Sequence, residues 1–570
     1  MPTAINGHVD WSMQPLDWST SILGGTFTDR NNRLMSANTP LRYIVQWERS
    51  GLDETVAPSL EGDVVHAIFK IYETNNGQAG ATVVSNMRKV ATIRKARDVR
   101  NVSYGGIGLL SQSTVPEKHI FSLDISPIVS ELLSYSLVPI GKGTFENAQG
   151  MGSRFGGLNG GKTVQDNVVQ GVPVTTVSPF RLSNNGGFRR IRVTASFEVL
   201  DADGLIVSAS NPAINSIVIT VINSVPQWEE DSVYYEYQYL IDGRSSGAIQ
   251  TDRRLLTKCP NYNTTGNISD SVFKKYVRMT DEAEWAYFYI ERVKNIAGVT
   301  DTASVYIKVD TDDGNTFYLN AFENNLYTTP PNLIATEQYQ YIVQNISPAY
   351  MNSNGINASG VPALNQITAS TTKYVIRVVM IESGEDQNRV TNYYYYHIDR
   401  ETEHPFGYVR FHWLNRMGGI DSYTAKRNVT QSVEVTRNTF ETRSADKLWL
   451  QTPVDGSYLD DSMRGDLYKG GREVLDIKAN RNHSVYTEPL NTAHAKWLEE
   501  IITSPNVWIE YQSAATERLN THNNTLRPSE KTYIPVIITN GEMTTVNQEG
   551  GLVSLNIEFT HAHSINTQRN

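Results

Sequence analysis

Tyr408-Val409-Arg410-Phe411-His412-Trp413-Leu414-Asn415 alternates between two sets of side chains and runs into the turn-like Met417-Gly418-Gly419-Ile420-Asp421. A period of two is that of a β-strand, whose successive side chains point to opposite faces. Val429, Val433 and Val435, two or four apart, predict a second strand downstream. Over residues 491–503 the period changes: Ala493, Trp497, Leu498, Ile501 and Ile502 fall on one stripe at helical spacing. Asn491 or Thr492 can cap this helix and Pro505 stops it. Strands resume over 507–511, 533–538 and 552–560. In the last, Val553, Leu555, Ile557 and Phe559 face one way, and Ser554, Asn556, Glu558 and Thr560 the other. The last third is therefore expected to be one helix on an antiparallel sheet or small barrel.

Upstream the same period recurs. Leu41, Tyr43, Val45 and Trp47 alternate, as do Val65, Ala67, Phe69 and Ile71. A short helix is expected over 126–137, with Pro127 in its first turn. A Gly-rich interruption, Gly141 to Gly171, offers little to fill a core and reads as a loop, or an arm that orders on a neighbour. Ile191, Val193, Ala195, Phe197 and Val199 restore the alternation and end in Asp201-Ala202-Asp203-Gly204, a hairpin turn into Leu205-Ile206-Val207. Val233, Tyr235, Tyr237 and Tyr239 form an aromatic face. From Cys259 the scheme restarts, through Trp285–Ile290, Val305–Val309, Tyr374–Met380 and Tyr393–Ile398. Tyr235–Asp242 and Tyr393–Asp399 each read as the last aromatic strand of a sandwich, a weak internal correspondence. The expected fold is mainly β: two β-sandwich-like domains, 1–230 and 231–405, then a β-barrel-like domain, 406–570, with its flanking helix at 491–503.

At 570 residues the chain exceeds what one core serves. Thirty tyrosines, mostly in alternating runs, favour sheet. A net charge of −10 argues against a general binder of nucleic acid or anionic membrane. The single Cys259 excludes an internal disulfide and is expected to be a small buried side chain. The N-terminus predicts no secretory signal, and no apolar run approaches the ~18 residues of a membrane span; synthesis in a cytoplasm is the expectation.

Candidate chemistry is sparse. Gly156-Gly157-Leu158-Asn159-Gly160-Gly161-Lys162-Thr163 matches the phosphate-binding pattern, but no buried strand precedes it and no helix follows, so it reads as a chance match. Asp310-Thr311-Asp312-Asp313-Gly314 places its glycine at five where a helix–loop–helix calcium loop wants six, and so reads as a hairpin turn. His561 and His563 would share a face, yet no third metal ligand is identifiable. Asn482-His483-Ser484 has no matching acid for a nucleophile. No cofactor or metal is expected. Tyr393 to Tyr396 leave three readings open: a strand buried on both sides, a subunit interface, or a sugar-stacking surface.

The segment Phe411–Asp421, the helix with Trp497-Leu498, the following Ser504-Pro505-Asn506-Val507 and the Tyr533-Ile534-Pro535-Val536 strand resemble the ring-forming β-barrel domain of tailed-bacteriophage tail tube, distal-tail and hub proteins. The resemblance implies a virion structural protein, made in the host cytoplasm, that forms a ring in the tail hub or baseplate. Its partners would be further copies of itself and other tail proteins, with a host receptor reached through attached fibres. Neither membrane nor sequence-specific nucleic acid is an expected partner. Tyr394, Tyr396, Trp413, Trp508 and Phe559 are the expected assembly interface. A receptor- or carbohydrate-binding tail protein, or a neck or head–tail connector component, is the alternative. An enzyme is not expected, though glycoside hydrolysis stays open as a class.

Overall fold

The computed structural model describes residues 7–14, 32–49, 64–74, 84–96, 118–133, 168–169, 172–173, 188–201, 203–209, 212–225, 239–242, 253–264, 273–279, 284–291, 304–320, 339–357, 363, 365–382, 385–400, 408–441, 472–512, 531–540 and 553–562. The fold is mainly β, in several sheets. Contacts divide the chain into two compact units: Met1–Glu401 with Leu414–Asp421, and Thr402–Trp413 with Ser422–Asn570.

The first unit contains two hydrophobic cores, each between a small and a large sheet. In the N-terminal body the small sheet is ordered β1 (Gly7–Met13), β3 (Arg42–Arg49), β6 (Lys118–Asp124). The large sheet is ordered β2 (Asn32–Ser36), β12 (Val218–Ile222), β9 (Phe188–Leu200), β4 (Val64–Thr74), β5 (Arg88–Ala96). Strands β10 (Ile206–Ser208) and β11 (Ile214–Asn215) also pair with β9. The alternation read from sequence decides which residues turn inward. Ile191, Val193, Ala195, Phe197 and Val199 of β9 are buried against Trp47, Phe69 and Phe121. The β9–β10 turn closes as expected: the Asp201 carboxylate accepts from the Asp203 and Leu205 amides, and Gly204 takes φ +74°. The predicted short helix is α1 (Ser126–Leu132). Of the Gly-rich stretch only β7 (Val168–Val169) is described, paired with β8 (Val172–Pro173). The candidate arm and the Gly156–Thr163 motif otherwise lie outside the described residues.

In the next body the small sheet is β13 (Leu240–Asp242), β16 (Trp285–Glu291), β19 (Tyr339–Asn345). The large one is β14 (Tyr262–Asn263), β22 (Tyr393–Asp399), β20 (Lys373–Glu382), β17 (Ser304–Thr311), β18 (Thr316–Asn320). Strand β15 (Lys275–Arg278) pairs with β22, and β21 (Glu385–Arg389) with β20. Set side by side, the two bodies repeat one topology. The path β1-β3-β6 matches β13-β16-β19, and β12-β9-β4-β5 matches β22-β20-β17-β18. Helix α1 follows β6 as α2 (Pro348–Asn354) follows β19. Each large sheet carries one parallel neighbour, β2 on β12 and β15 on β22. The repeats differ at β1, antiparallel to β3, where β13 runs parallel to β16. The repeat therefore equates Val218–Ile222 with Tyr393–Asp399. Tyr239 instead stands beside the first strand of the next body, while Val233 to Tyr237 lie outside the described residues.

The second unit is built on one sheet ordered β24 (Ile420–Ala425), β23 (Val409–Leu414), β27 (Val507–Gln512), β28 (Lys531–Ile538), β29 (Asn556–His561), β26 (Arg472–Tyr486), β25 (Arg427–Glu441). Strands β24 and β25 stand at opposite ends of this order, yet only Lys426 separates them in the chain. Seven strands laid flat would hold the two ends ~29 Å apart, at about 4.8 Å per strand. One intervening residue spans about 7 Å at most. The sheet must therefore curl until its ends approach at this corner. Among the described residues no ladder joins β24 to β25, so the expected barrel is curled but not closed.

Helix α3 (Thr492–Thr503) lies on the inner face of the curl: Trp497 meets Trp413 at 5.2 Å and Tyr423 at 6.2 Å between ring centroids. Its buried residues are Ala495, Trp497, Leu498, Glu500 and Ile501. The arc is wider than the predicted stripe, and it includes the carboxylate-bearing Glu500. Asn491 caps it, its side chain accepting from the His494 amide at 3.0 Å. Asn491→Ala is expected to lower stability by about 1 kcal/mol, read as a shift in urea midpoint; no shift would mean that the cap does not form in solution.

Candidate functional site

Three adjacent strands bring five polar side chains onto one face of the second unit's sheet. Arg410 and His412 alternate along β23, Ser422 and Thr424 along β24, and Glu510 stands on β27 opposite Arg410. His412 Nε2 lies 2.9 Å from Glu510 Oε2, and its Nδ1 lies 3.0 Å from Ser422 Oγ. An ionised Glu510 can only accept, which places the ring proton on Nε2 and leaves Nδ1 to accept from the Ser422 hydroxyl. Arg410 donates to Thr424 Oγ1 at 2.8 Å and lies 3.5 Å from the same Glu510 oxygen. Hydroxyl, imidazole and carboxylate in line are the components of a nucleophile relay. Both Ser422 and His412 are 0% exposed, however, so no substrate reaches the hydroxyl in this conformation. The network satisfies buried polar groups and ties three strands together. Side-chain spacing does not reveal the network, because Glu510 lies 98 residues from His412; its trace in the sequence is Arg410 and His412 sharing one side of an otherwise apolar strand.

The first unit holds a buried ion pair, Lys275 Nζ to Glu284 Oε1 at 2.6 Å, with both side chains at most 5% exposed. Burial lowers the Lys275 pKa, but Glu284 and the neighbouring acids outweigh it, and the net shift is upward. Cys259 is buried nearby, as expected, and burial pushes its thiol well up. The turn Leu414–Asp421 belongs to this unit too. Asn415 Oδ1 accepts from the amides of Met417 and Gly419, its Nδ2 donates to the Leu256 carbonyl at 2.8 Å, and Thr257 donates to Asp421 at 2.9 Å. A Cβ on Gly419 would stand 2.5 Å from the Leu256 carbonyl oxygen, so glycine is needed for this approach.

Of the five residues expected at an assembly interface, four are interior. Tyr394, Tyr396, Trp413 and Phe559 are buried within the chain, and Trp508 is half-buried. The physical reason is that each of these four side chains turns onto a covered face of its sheet. Strand β22 sits inside its sheet, where Tyr394 accepts from the Leu255 amide at 2.8 Å and Tyr396 stacks on Tyr374 at 5.2 Å. Phe559 packs edge-on against Phe411 at 5.3 Å. Of the three readings of Tyr393 to Tyr396, the structure has the strand buried on both sides.

Asp310 to Gly314 form the β17–β18 hairpin turn, with Gly314 at φ +91°. Hydroxyls of Thr311 and Thr371, then Thr368 and Ser370, hold the Asp313 carboxyl well below the usual range. Its acceptor capacity is thus used within the fold. Among the described residues no group of three or more His, Cys, Asp or Glu is arranged to hold a metal, and no helix is long and apolar enough to cross a membrane. His563 lies outside the described residues. His561 stacks on His483 at 4.9 Å, and His483 on Phe559 at 4.8 Å.

Burial, then His561 and Arg481, push His483 down to about 4; burial pushes His494 down to about 4 as well. An unfolded histidine titrates near 6.5. Between those values the unfolded chain binds protons that the folded chain does not, so stability falls as pH drops through this window. The urea midpoint is expected to fall between pH 7 and pH 5. His483→Gln with His494→Gln should shrink that fall; an unchanged fall would place its cause elsewhere.

Among the described residues of the second unit, β25 and β26 leave several large apolar side chains in solvent. Strand β26 pairs with β29 only over residues 482–486, whereas its ladder with β25 continues from Ser484 to Arg472. Residues 433–441 and 472–481 thus form a two-stranded ribbon beyond the body of the sheet. Val433 faces Arg481 and Val435 faces Ala479, while Leu475 is the extra residue of a bulge between Asp476 and Val474. Val433, Val435 and Leu475 are 51%, 38% and 71% exposed. The strand expected near Val429–Val435 is β25, whereas β26 carries no strong signal in the sequence, because its apolar residues are few and its partners are distant.

No protein-family model matches the chain, and a search of curated proteins gives no match.

Proposed function

We propose that the chain is a virion structural protein of a tailed bacteriophage, forming a ring in the tail hub or baseplate region and docking adjacent tail proteins or fibres. The observation that carries this reading is the β25–β26 ribbon. A two-stranded ribbon is at best marginally stable alone in water, and this one leaves valines and a leucine in solvent. Both needs are met by assembly. The curled sheet with one helix on its inner face, in the segment whose residues resemble ring-forming tail proteins, supports the same reading. Repeated sandwich bodies ahead of it would supply the docking surfaces.

Electron microscopy tests this. Purified full-length chain should give closed rings in negative stain, and an antibody against it should decorate the tail of intact particles. Particles left undecorated, together with a preparation free of rings, would overturn the reading.

A further inference from the structure

The exposed face of the ribbon is an extension of the second unit's own core. Side chains alternate along β26, so the face that carries His483 and Val485 over the body carries Arg481, Ala479 and Ile477 on the ribbon. Val485 is buried in the core, and His483 stacks on Phe559. Val433 and Val435 stand opposite Arg481 and Ala479 on that same face. The apolar stripe therefore runs on past its cover. Over the body, α3 and the curled sheet close it; over the ribbon, Val433, Val435 and Leu475 remain open. The opposite face carries Glu434, Thr436, Asn438, Asn480, Lys478 and Asp476, with Phe440 near the end.

We propose that the surface closing over this stripe is a second copy of the same chain, an inference that rests on the ring-forming reading above. Three observations select that occupant. First, the ribbon carries Arg437, Arg472, Lys478 and Arg481 against Glu434, Glu441, Glu473 and Asp476, four of each sign. A balanced, interleaved set has no pull on a polyanion or an anionic bilayer and suits a protein surface of mixed charge. Second, among the described residues β25 ends the sheet order, so its outer backbone edge is a template for a further strand. Third, nine residues at ~3.3 Å each give a ribbon about 30 Å long. Seated along both faces it would bury an area on the scale of a standard interface, about 800 Å² per partner. One copy's ribbon seated on the next makes a head-to-tail contact, the kind that closes into a ring.

The test uses the full-length chain with Leu475→Cys carrying a benzophenone maleimide; the one native thiol, Cys259, is buried. Light should link copies to one another, with the linked peptides mapped by mass spectrometry. In parallel, Val433→Asp with Val435→Asp should weaken self-association by roughly thirtyfold or more while leaving the far-ultraviolet circular dichroism of the folded chain unchanged. An oligomer that survives the double substitution and yields no copy-to-copy links overturns the ribbon's role and leaves the ring reading standing. A wild-type chain that stays monomeric at every concentration overturns both.

Discussion

Trp413→Ala is expected to remove a large share of the second unit's stability. The side chain is 0% exposed, sits on the inner face of β23 and meets Trp497 of α3 at 5.2 Å. Truncating a buried tryptophan costs about 3–5 kcal/mol, through lost transfer energy and the cavity left behind. A folded unit has only about 5–15 kcal/mol to lose. Tyr423 touches the same Trp497 ring, so the cavity opens on both sides of the helix contact. Trp413→Phe keeps most of the apolar volume and should cost less than half as much. Urea titrations followed by tryptophan fluorescence would show a midpoint collapse for alanine and a modest shift for phenylalanine. Equal, small shifts in both would mean that α3 does not pack on β23.

The second large effect concerns Lys275 and Glu284. Removing one partner of a buried pair strands the other charge in the core, which costs about 3–5 kcal/mol. Glu284→Gln and Lys275→Met should each destabilise the first unit by that order. Lys275→Met combined with Glu284→Leu should recover most of the loss, because neither charge is then buried alone. Since the folded lysine pKa is raised, the pair's contribution is fully present at neutral pH and is lost as pH rises through the folded value. A thermal-shift series on the three variants checks this. Additive losses in the double variant would show that the two side chains are not coupled.

Much of the fold was legible because its strands state their own period. The β9 alternation, the Asp201–Gly204 turn, the Asp310–Gly314 turn and the capped helix after Asn491 are local signals, and local physics decides them. What escaped reading depends on distant partners. Strand β26 has a weak apolar pattern because half of it lies beyond the body of the sheet. The duplicated sandwich is written in strand order, which side-chain period does not encode. The aromatic candidates failed for one reason: tyrosines and tryptophans on an alternating strand suit a surface or a core equally. Only the covering layers show that Tyr394, Tyr396, Trp413 and Phe559 are inside. The Ser422–His412–Glu510 line was illegible for the same cause, since strand pairing and not sequence spacing assembles it.

Assembly through the second unit is tested most directly by native mass spectrometry of the purified full-length chain. A closed ring predicts one dominant species at an integer multiple of 63.8 kDa, above a dimer and unchanged across a tenfold dilution. A single species at 63.8 kDa at every concentration would contradict it.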